Sequence, residues 1–452
     1  MSASKARRRS SPISNAPSRP RRDDINGKRR GSMIKTFLAG ALGLALMSGT
    51  ALADTTLKLV EVITSPARTE TLKGLVAKFE QANPGTKVEI TSLPWGEAFE
   101  KFATMYSAGD TPDVMEMPDT WVALYAKNGA LESLEPYLAK WQYTSGLNDR
   151  ALQFGRSTDG KTAYMLPYGF YMQAMFYNKK LFKDAGIAEP PKTLPEFLDA
   201  SRKLKAIGKA GYCQRGGRGG LNDWTIFSNA VSGNNTFFKD DGTSTFADPD
   251  KVKGLAFLID YYKEGLSPKD SINWAFNEQV AGFYSGTCAM LNQDPDALIA
   301  IDEKMKPEDY GVVPIPKGEA GKAFPVIGFA GWSMFANSSN KEASWKLIEA
   351  LESPEPNVEW NKRTGALPVH KSAEKDPFYA ADKFKGWFAE LSDPNTVPTS
   401  LPSYLEEFAF FKDSMVVSTG QQALLGEISA EDLGKQWADY LTPAQQKFKS
   451  AQ

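Results

Sequence analysis

The strongest constraint on this chain is an alternation of two periodicities between Thr56 and Asn128. Residues 56–63 alternate apolar and polar side chains, the two-residue period of a strand. Over residues 68–82, Leu72, Leu75, Val76 and Phe79 recur at helical spacing. Asn83-Pro84-Gly85 ends that run. Residues 88–93 read as a second strand, and residues 97–108 carry Phe99, Phe102, Met105 and Tyr106 on one helical face. A third strand is expected at 113–117, then a helix at 121–128 that Gly129 terminates. Parallel neighbours cannot be joined by a hairpin, so this β-α-β-α-β order predicts a parallel sheet with crossover helices.

The alternation continues. Residues 163–177 form a long extended stretch broken by Pro167 and Gly169, and 211–214 and 287–292 read as short strands. Thr193-Leu194-Pro195-Glu196 and Ser339-Asn340-Lys341-Glu342 read as capping boxes opening two helices. The last hundred residues are mostly helical, with aromatic faces around 408–411 and Trp437. A chain of 452 residues has room for two or three domains. No loop is long enough to be a linker, so a two-lobed chain has to cross between its lobes more than once.

The first 53 residues are a separate object. Residues 1–32 are rich in Arg, Ser and Pro and have no apolar periodicity, the pattern of a disordered basic extension. Met33-Ile34-Lys35, an apolar run over 36–47 and Ala51-Leu52-Ala53 follow in the order of a secretory signal. The run is short for a membrane span. The expectation is translation from Met33, cleavage after Ala53 and a mature start at Asp54. This head holds 11 basic and 2 acidic residues, which leaves 42 basic and 52 acidic residues, a net charge of −10. A body that acidic repels nucleic acid and anionic membranes. Only Cys213 and Cys288 exist, and neither lies at the cleavage site, so a freely soluble periplasmic protein without a lipid anchor or membrane insertion is expected. Spacing leaves both states of the thiols open, a pair joined in an oxidising space or two separate buried thiols.

The search for chemistry excludes more than it finds. There is no P-loop and no H-E-x-x-H, and one histidine with two cysteines cannot make a zinc site. His370 follows Leu367-Pro368-Val369 and reads as a surface or packing residue. Gly331-Trp332-Ser333-Met334-Phe335 lacks the last glycine of a nucleophile elbow. Gly217-Arg218-Gly219-Gly220-Leu221-Asn222 lacks the third glycine of a dinucleotide loop and reads as a strand-to-helix turn, or a ligand loop, since Asp223 and Trp224 follow. No cofactor or metal is expected. Aromatics and carboxylates remain. Trp95, Trp121, Trp224, Trp274 and Trp332 each sit beside a turn residue or short polar side chain. As a group they suit a sugar, whose C–H face lies on a ring while Asp, Asn and Arg take its hydroxyls. Singly, each is equally a core residue.

An ordered set of motifs then resembles a family. Phe79-Glu80 with Asn83-Pro84-Gly85, Ala108-Gly109-Asp110-Thr111-Pro112-Asp113-Val114 and Leu166-Pro167-Tyr168-Gly169 come first. Phe176-Tyr177-Asn178-Lys179-Lys180-Leu181-Phe182 and Pro190-Pro191-Lys192-Thr193 follow, then Phe283 with Ser285-Gly286-Thr287-Cys288-Ala289-Met290. Pro314-Ile315-Pro316 and Thr364-Gly365-Ala366-Leu367-Pro368 complete the set. Together they resemble the maltose-binding-protein-like, extracellular type 1 solute-binding proteins of ABC sugar importers, over nearly the whole mature chain. The resemblance implies a type II periplasmic binding protein, two α/β lobes with a central ligand cleft and crossing hinge strands near 168–173 and 313–317. It places an N-lobe at 54–168 plus about 317–366 and a C-lobe at 169–316 plus about 367–452. Function, on this resemblance, is non-catalytic capture of a carbohydrate by a monomer and its delivery to an ABC importer permease.

Ligands of such sheets sit off the carboxyl ends of the strands. From the N-lobe this selects Thr64, Ser65, Arg68, Asp119, Trp121, Phe329 and Trp332. From the C-lobe and hinge it selects Tyr171, Asp223, Trp224, Trp274, Asn292 and Asp294, with Arg363 added before the Thr-Gly turn. Where the family often has Gly-Pro-Trp, this chain has Gln293-Asp294-Pro295-Asp296, so Trp224 or Trp274 is expected to supply the stacking ring. Two alternatives stand beside this reading. One is a secreted glycoside hydrolase, for which no acid pair is marked. The other is the same fold with a peptide, polyamine or sulfonated sugar as cargo.

Overall fold

A computed structural model describes residues 55–156 and 158–451. The expected basic extension, signal sequence and cleavage point lie outside the described residues. Strands β1 (Thr55–Glu61), β2 (Thr86–Ser92), β3 (Val114–Pro118) and β4 (Leu166–Met172) belong to a first sheet. A second sheet takes β5 (Ala174–Asn178), β6 (Ala210–Tyr212), β7 (Cys288–Gln293) and β8 (Tyr310–Val313). The chain then returns to the first sheet through β9 (Val326–Met334), β10 (Leu367–Pro368) and β11 (Thr399–Ser400).

The first sheet runs in the order β10-β4-β9-β3-β1-β2, with β11 paired to β9. β1 lies between β2 and β3 and is parallel to both, as the alternating pattern demands. β9 enters antiparallel to β3 and to β4, so the sheet is mixed. The second sheet, β6-β7-β5-β8, is buried on both faces. Phe176, Cys288 and Leu291 join one apolar cluster, while Met175, Ala289 and Met290 join the other. Such strands read as continuous apolar runs, which is why 287–292 shows no alternation.

Between β4 and β5 only Gln173 intervenes, so the chain passes from one sheet to the other within one residue. The return passes through residues 314–325. β4 itself carries a register shift between Pro167 and Gly169. The bulge takes the Tyr168 carbonyl out of the ladder, and the side-chain amides of Asn357 and Asn361 donate to it at 2.9 and 2.8 Å. A side chain on Gly169 would overlap Ala366 and Asn361, which explains the glycine.

The Thr193 capping box is present, with Glu196 reaching back to the Thr193 N–H. The expected second box is absent. The helix begins at Lys341 with Asn340, not Ser339, as N-cap and with no side-chain cap bond; the Ser338 hydroxyl accepts from the Asn340 N–H at 3.0 Å and donates to Asp113 at 2.5 Å. Cys213 and Cys288 form a disulfide with Cα atoms 5.4 Å apart, which resolves the alternative that the spacing left open. It closes a loop across 75 positions. Replacing both cysteines by serine is expected to lower the unfolding free energy by about 3 kcal/mol. Urea denaturation checks this; an unmoved midpoint would show that the bridge adds nothing.

Candidate functional site

The carboxyl ends of β1, β3, β6 and β7 open onto one cavity of about 370 Å³. One wall comes from the first sheet and its helices. Thr64 and Ser65 follow β1, and Ser65 caps the helix Pro66–Ala82 by accepting from the Arg68 N–H at 3.3 Å. Asp119 follows β3, Tyr171 projects from β4 and Phe329 from β9. Trp95 opens the helix Trp95–Ser107 and stacks on Trp121, with centroids 5.8 Å apart and planes at 7°. The opposite wall carries Arg215 and Asn222 after β6, Phe276 at the start of the helix Phe276–Tyr284, and Asp294 and Asp296 after β7. Lys412 completes the lining; its ammonium sits 5.2 Å from the Trp95 ring centroid and 3.4 Å from the Thr120 hydroxyl.

Beneath the first wall lies a buried polar network. The Glu116 carboxylate accepts from the N–H groups of Val62 and Ile63 at 2.9 and 3.0 Å. It also accepts from the Arg68 guanidinium at 2.8 Å and from the Tyr168 hydroxyl at 2.6 Å. Burial is the largest influence and works against the Arg68 charge, but Glu116, Tyr171 and Tyr168 together outweigh it and hold the guanidinium well above its ordinary value. Burial pushes Asp119 up to about 6, opposed by Lys412 and the Phe329 N–H. The Asp296 carboxyl is likewise raised to about 6 by burial, opposed by Arg68 and Arg215. Asp294 is raised well above the carboxylate range, first by burial and then by Asp296 beside it.

Glycines build the seat of Arg215. A Cβ on Gly219, where φ is +86°, would stand 2.3 Å from the guanidinium carbon of Arg215. Side chains on Gly216 or Gly217 would strike the backbone of 272–274. The run Gly216-Gly217-Arg218-Gly219-Gly220 is therefore a cradle that closes on Arg215. The Arg215 Nε donates to the Arg218 carbonyl at 2.6 Å, while Nη2 is buried without a partner. Arg218, in the same glycine run, pairs with Glu100 on the helix Trp95–Ser107.

Seven of the expected residues line the cavity: Thr64, Ser65, Arg68, Asp119, Tyr171, Asp294 and Phe329. The other seven do not. Trp121 stands behind Trp95, and its Nε1 donates to Asp413 at 2.9 Å. Trp332 is three residues from Phe329 in β9, so strand alternation turns it to the other face, between Tyr168 and Trp360. Asp223 is buried, accepting from the Tyr212 hydroxyl at 2.8 Å and the Arg215 N–H at 2.9 Å, and so supports Arg215 from behind. Trp224 packs edge-on against Trp437 in the core and does not supply the stacking ring. Trp274 covers Gly282, and Asn292 is fully buried in β7. Arg363 lines a separate shallow cleft with Asp302 and Phe384.

Sequence reasoning passed over Arg215, Asp296, Phe276 and Lys412, and noted Trp95 without taking it into the site. An arginine set among glycines after a strand was a usable signal for Arg215. Lys412 had none: it enters through a single π-turn, Phe411–Met415, that interrupts the helical segment and brings Lys412 and Asp413 together toward the first sheet.

A cavity between two α/β halves, joined by short crossings and lined by free polar groups, defines a two-lobed receptor for a small solute. The family model for bacterial extracellular solute-binding protein matches residues 64–358, and the chain belongs to that family, whose members bind substrates for transport. A binding protein of Brucella abortus (strain 2308) is 28% identical over 83% of this chain and 91% of its own length. The sn-glycerol-3-phosphate-binding periplasmic protein UgpB of Shigella flexneri is 30% identical over 75% of this chain and 79% of its own. An ABC transporter solute-binding protein from Thermotoga lettingae, solved with alpha-D-tagatose, superposes with a TM-score of 0.75 at 25% identity, covering 86% of this chain and all of that one. Among the described residues, no helix is long and apolar enough to cross a membrane.

Proposed function

We propose that this protein is exported to the periplasm and, as a monomer, captures a sugar between its two halves for delivery to an ABC importer permease. The halves are a lobe of residues 54–168 with about 317–366 and a lobe of 169–316 with about 367–452. One observation carries the reading. Half-buried rings, Trp95 and Phe276, stand on opposite walls of a cavity whose lining also holds an unpartnered Arg215 Nη2 and an unpartnered Asp296 Oδ1. Sugar hydroxyls donate and accept at once, so Arg215, Asp294 and Asp296 are satisfied together. Contacts from both walls favour the closed arrangement, supported by the pairs Arg218–Glu100, Lys412–Thr120 and Trp121–Asp413. Calorimetric titration with a panel of mono- and disaccharides, beside an assay for reducing ends, tests it. Heat without turnover is expected; turnover or silence across the panel sinks the reading.

Affinity should depend on pH. A hydroxyl that donates to a carboxylate stabilises its ionised form, so binding lowers the carboxyl pKa and releases protons. Asp119 and Asp296 are raised to about 6 in the free protein. Binding is therefore full above pH ~7 and falls as pH drops through 6, by about tenfold per carboxylate at pH ~5. Equal affinities across that window would remove both groups from the site. A second reading, a phosphate ester as cargo, is favoured by the two cations Arg215 and Lys412 and by the Shigella relative's name.

A further inference from the structure

We propose that the cleft admits a sugar carrying no anionic group, and that Asp119, Asp294 and Asp296 are the residues that reject phosphate esters. The inference rests on the sugar reading above and decides between its two cargo classes. Its starting point is Arg215, which is 6% exposed, lines the cavity and holds its Nη2 buried and unpartnered, so the chain leaves a donor there for a ligand oxygen.

Charge comes first. Three cations line the cavity, but the Arg68 guanidinium is already held by Glu116 at 2.8 Å. Arg215 and Lys412 remain, and they face the carboxylates of Asp119, Asp294 and Asp296, with Glu97 and Glu278 exposed at the rim. Burial and then Asp296 beside it already push the Asp294 carboxyl up, so a ligand bringing further negative charge adds to a repulsion that the cavity already carries.

The helix ends come second. Anions are commonly held by free N–H groups at helix N-termini. Several helices begin at this cavity, and at two of them the chain's own side chains take one such group. Ser65 accepts from the Arg68 N–H at 3.3 Å and Glu278 from the Ala275 N–H at 3.1 Å, while Asp119 takes the Phe329 N–H of β9 at 3.2 Å. At those two helix starts a resident acceptor stands where a phosphate oxygen would be held.

Donor balance comes third. A phosphate dianion has oxygens that only accept, so it would satisfy Arg215 and Lys412 while bringing no donor to the carboxyl groups of Asp119, Asp294 and Asp296. Hydroxyls supply both roles.

Titration of the purified protein with neutral sugars and their phosphate esters, with glycerol against sn-glycerol 3-phosphate, and with inorganic phosphate tests the assignment. A sugar that binds is expected to lose at least about tenfold affinity on phosphorylation. The double variant Asp294→Asn/Asp296→Asn should narrow that ratio by at least about tenfold, while circular dichroism reports its fold. A phosphate ester binding as tightly as its neutral sugar, or a ratio the double variant leaves unchanged, overturns the selection and leaves the sugar reading in place. Silence toward every compound overturns the sugar reading itself, and the selection with it.

Discussion

Exchanging Arg215 for methionine is expected to weaken sugar binding about a thousandfold, roughly 4 kcal/mol. Much of that loss comes from the acids left behind. Asp223, Asp294 and Asp296 all act on the Arg215 charge; burial pulls its pKa down, and those three oppose the fall. Removing the guanidinium deprives the ligand of a buried donor and leaves the two cavity carboxylates repelling each other more strongly. Methionine keeps most of the side-chain volume against Gly219, so the cradle retains its filling. Arg215→Lys should fall between, because an ammonium restores charge without the fork that reaches both the Arg218 carbonyl and the cavity. Calorimetry on both variants, with thermal melting to show retained folding, gives the answer. Wild-type affinity in a folded Arg215→Met variant would exclude Arg215 from ligand contact.

The second large effect is on stability. Glu116→Gln should lower the unfolding free energy by about 3–5 kcal/mol. Glu116 is fully buried and joins two backbone N–H groups, Arg68 and Tyr168. The neutral amide leaves the Arg68 charge uncompensated at 3% exposure and turns one acceptor into a donor facing donors. Pairing the change with Arg68→Met should recover part of the loss, since the stranded charge is then gone. Urea unfolding of both singles and the double completes the cycle. Additive losses would mean that the pair is not energetically coupled.

The site was legible in the sequence where function follows chain direction. Strands ending at 61, 118 and 293 deliver the next few residues to one place, so Ser65, Arg68, Asp119 and Asp294 could be picked from strand positions alone. It was illegible where the outcome depends on which way a side chain turns. Phe329 and Trp332 looked alike in sequence, yet the pleat sends one to the cavity and the other into the core. Trp224 followed an acid as Trp95 followed a proline, but Trp437 and Gly420 wait for it across the core. Of the five tryptophans suspected as a group, Trp95 lines the cavity and the other four do not.

Local pattern determined the elements, their parallel order and the class of the fold, because periodicity and turn residues act over a few positions and need no partner. Tertiary structure alone decided the bridge between Cys213 and Cys288, the arrival of Lys412 on Trp95, and the facing of Arg215 by Asp294 and Asp296. Those pairings join residues tens to hundreds of positions apart. Their geometry is set by how two sheets pack and cross, a property no short window of the chain contains.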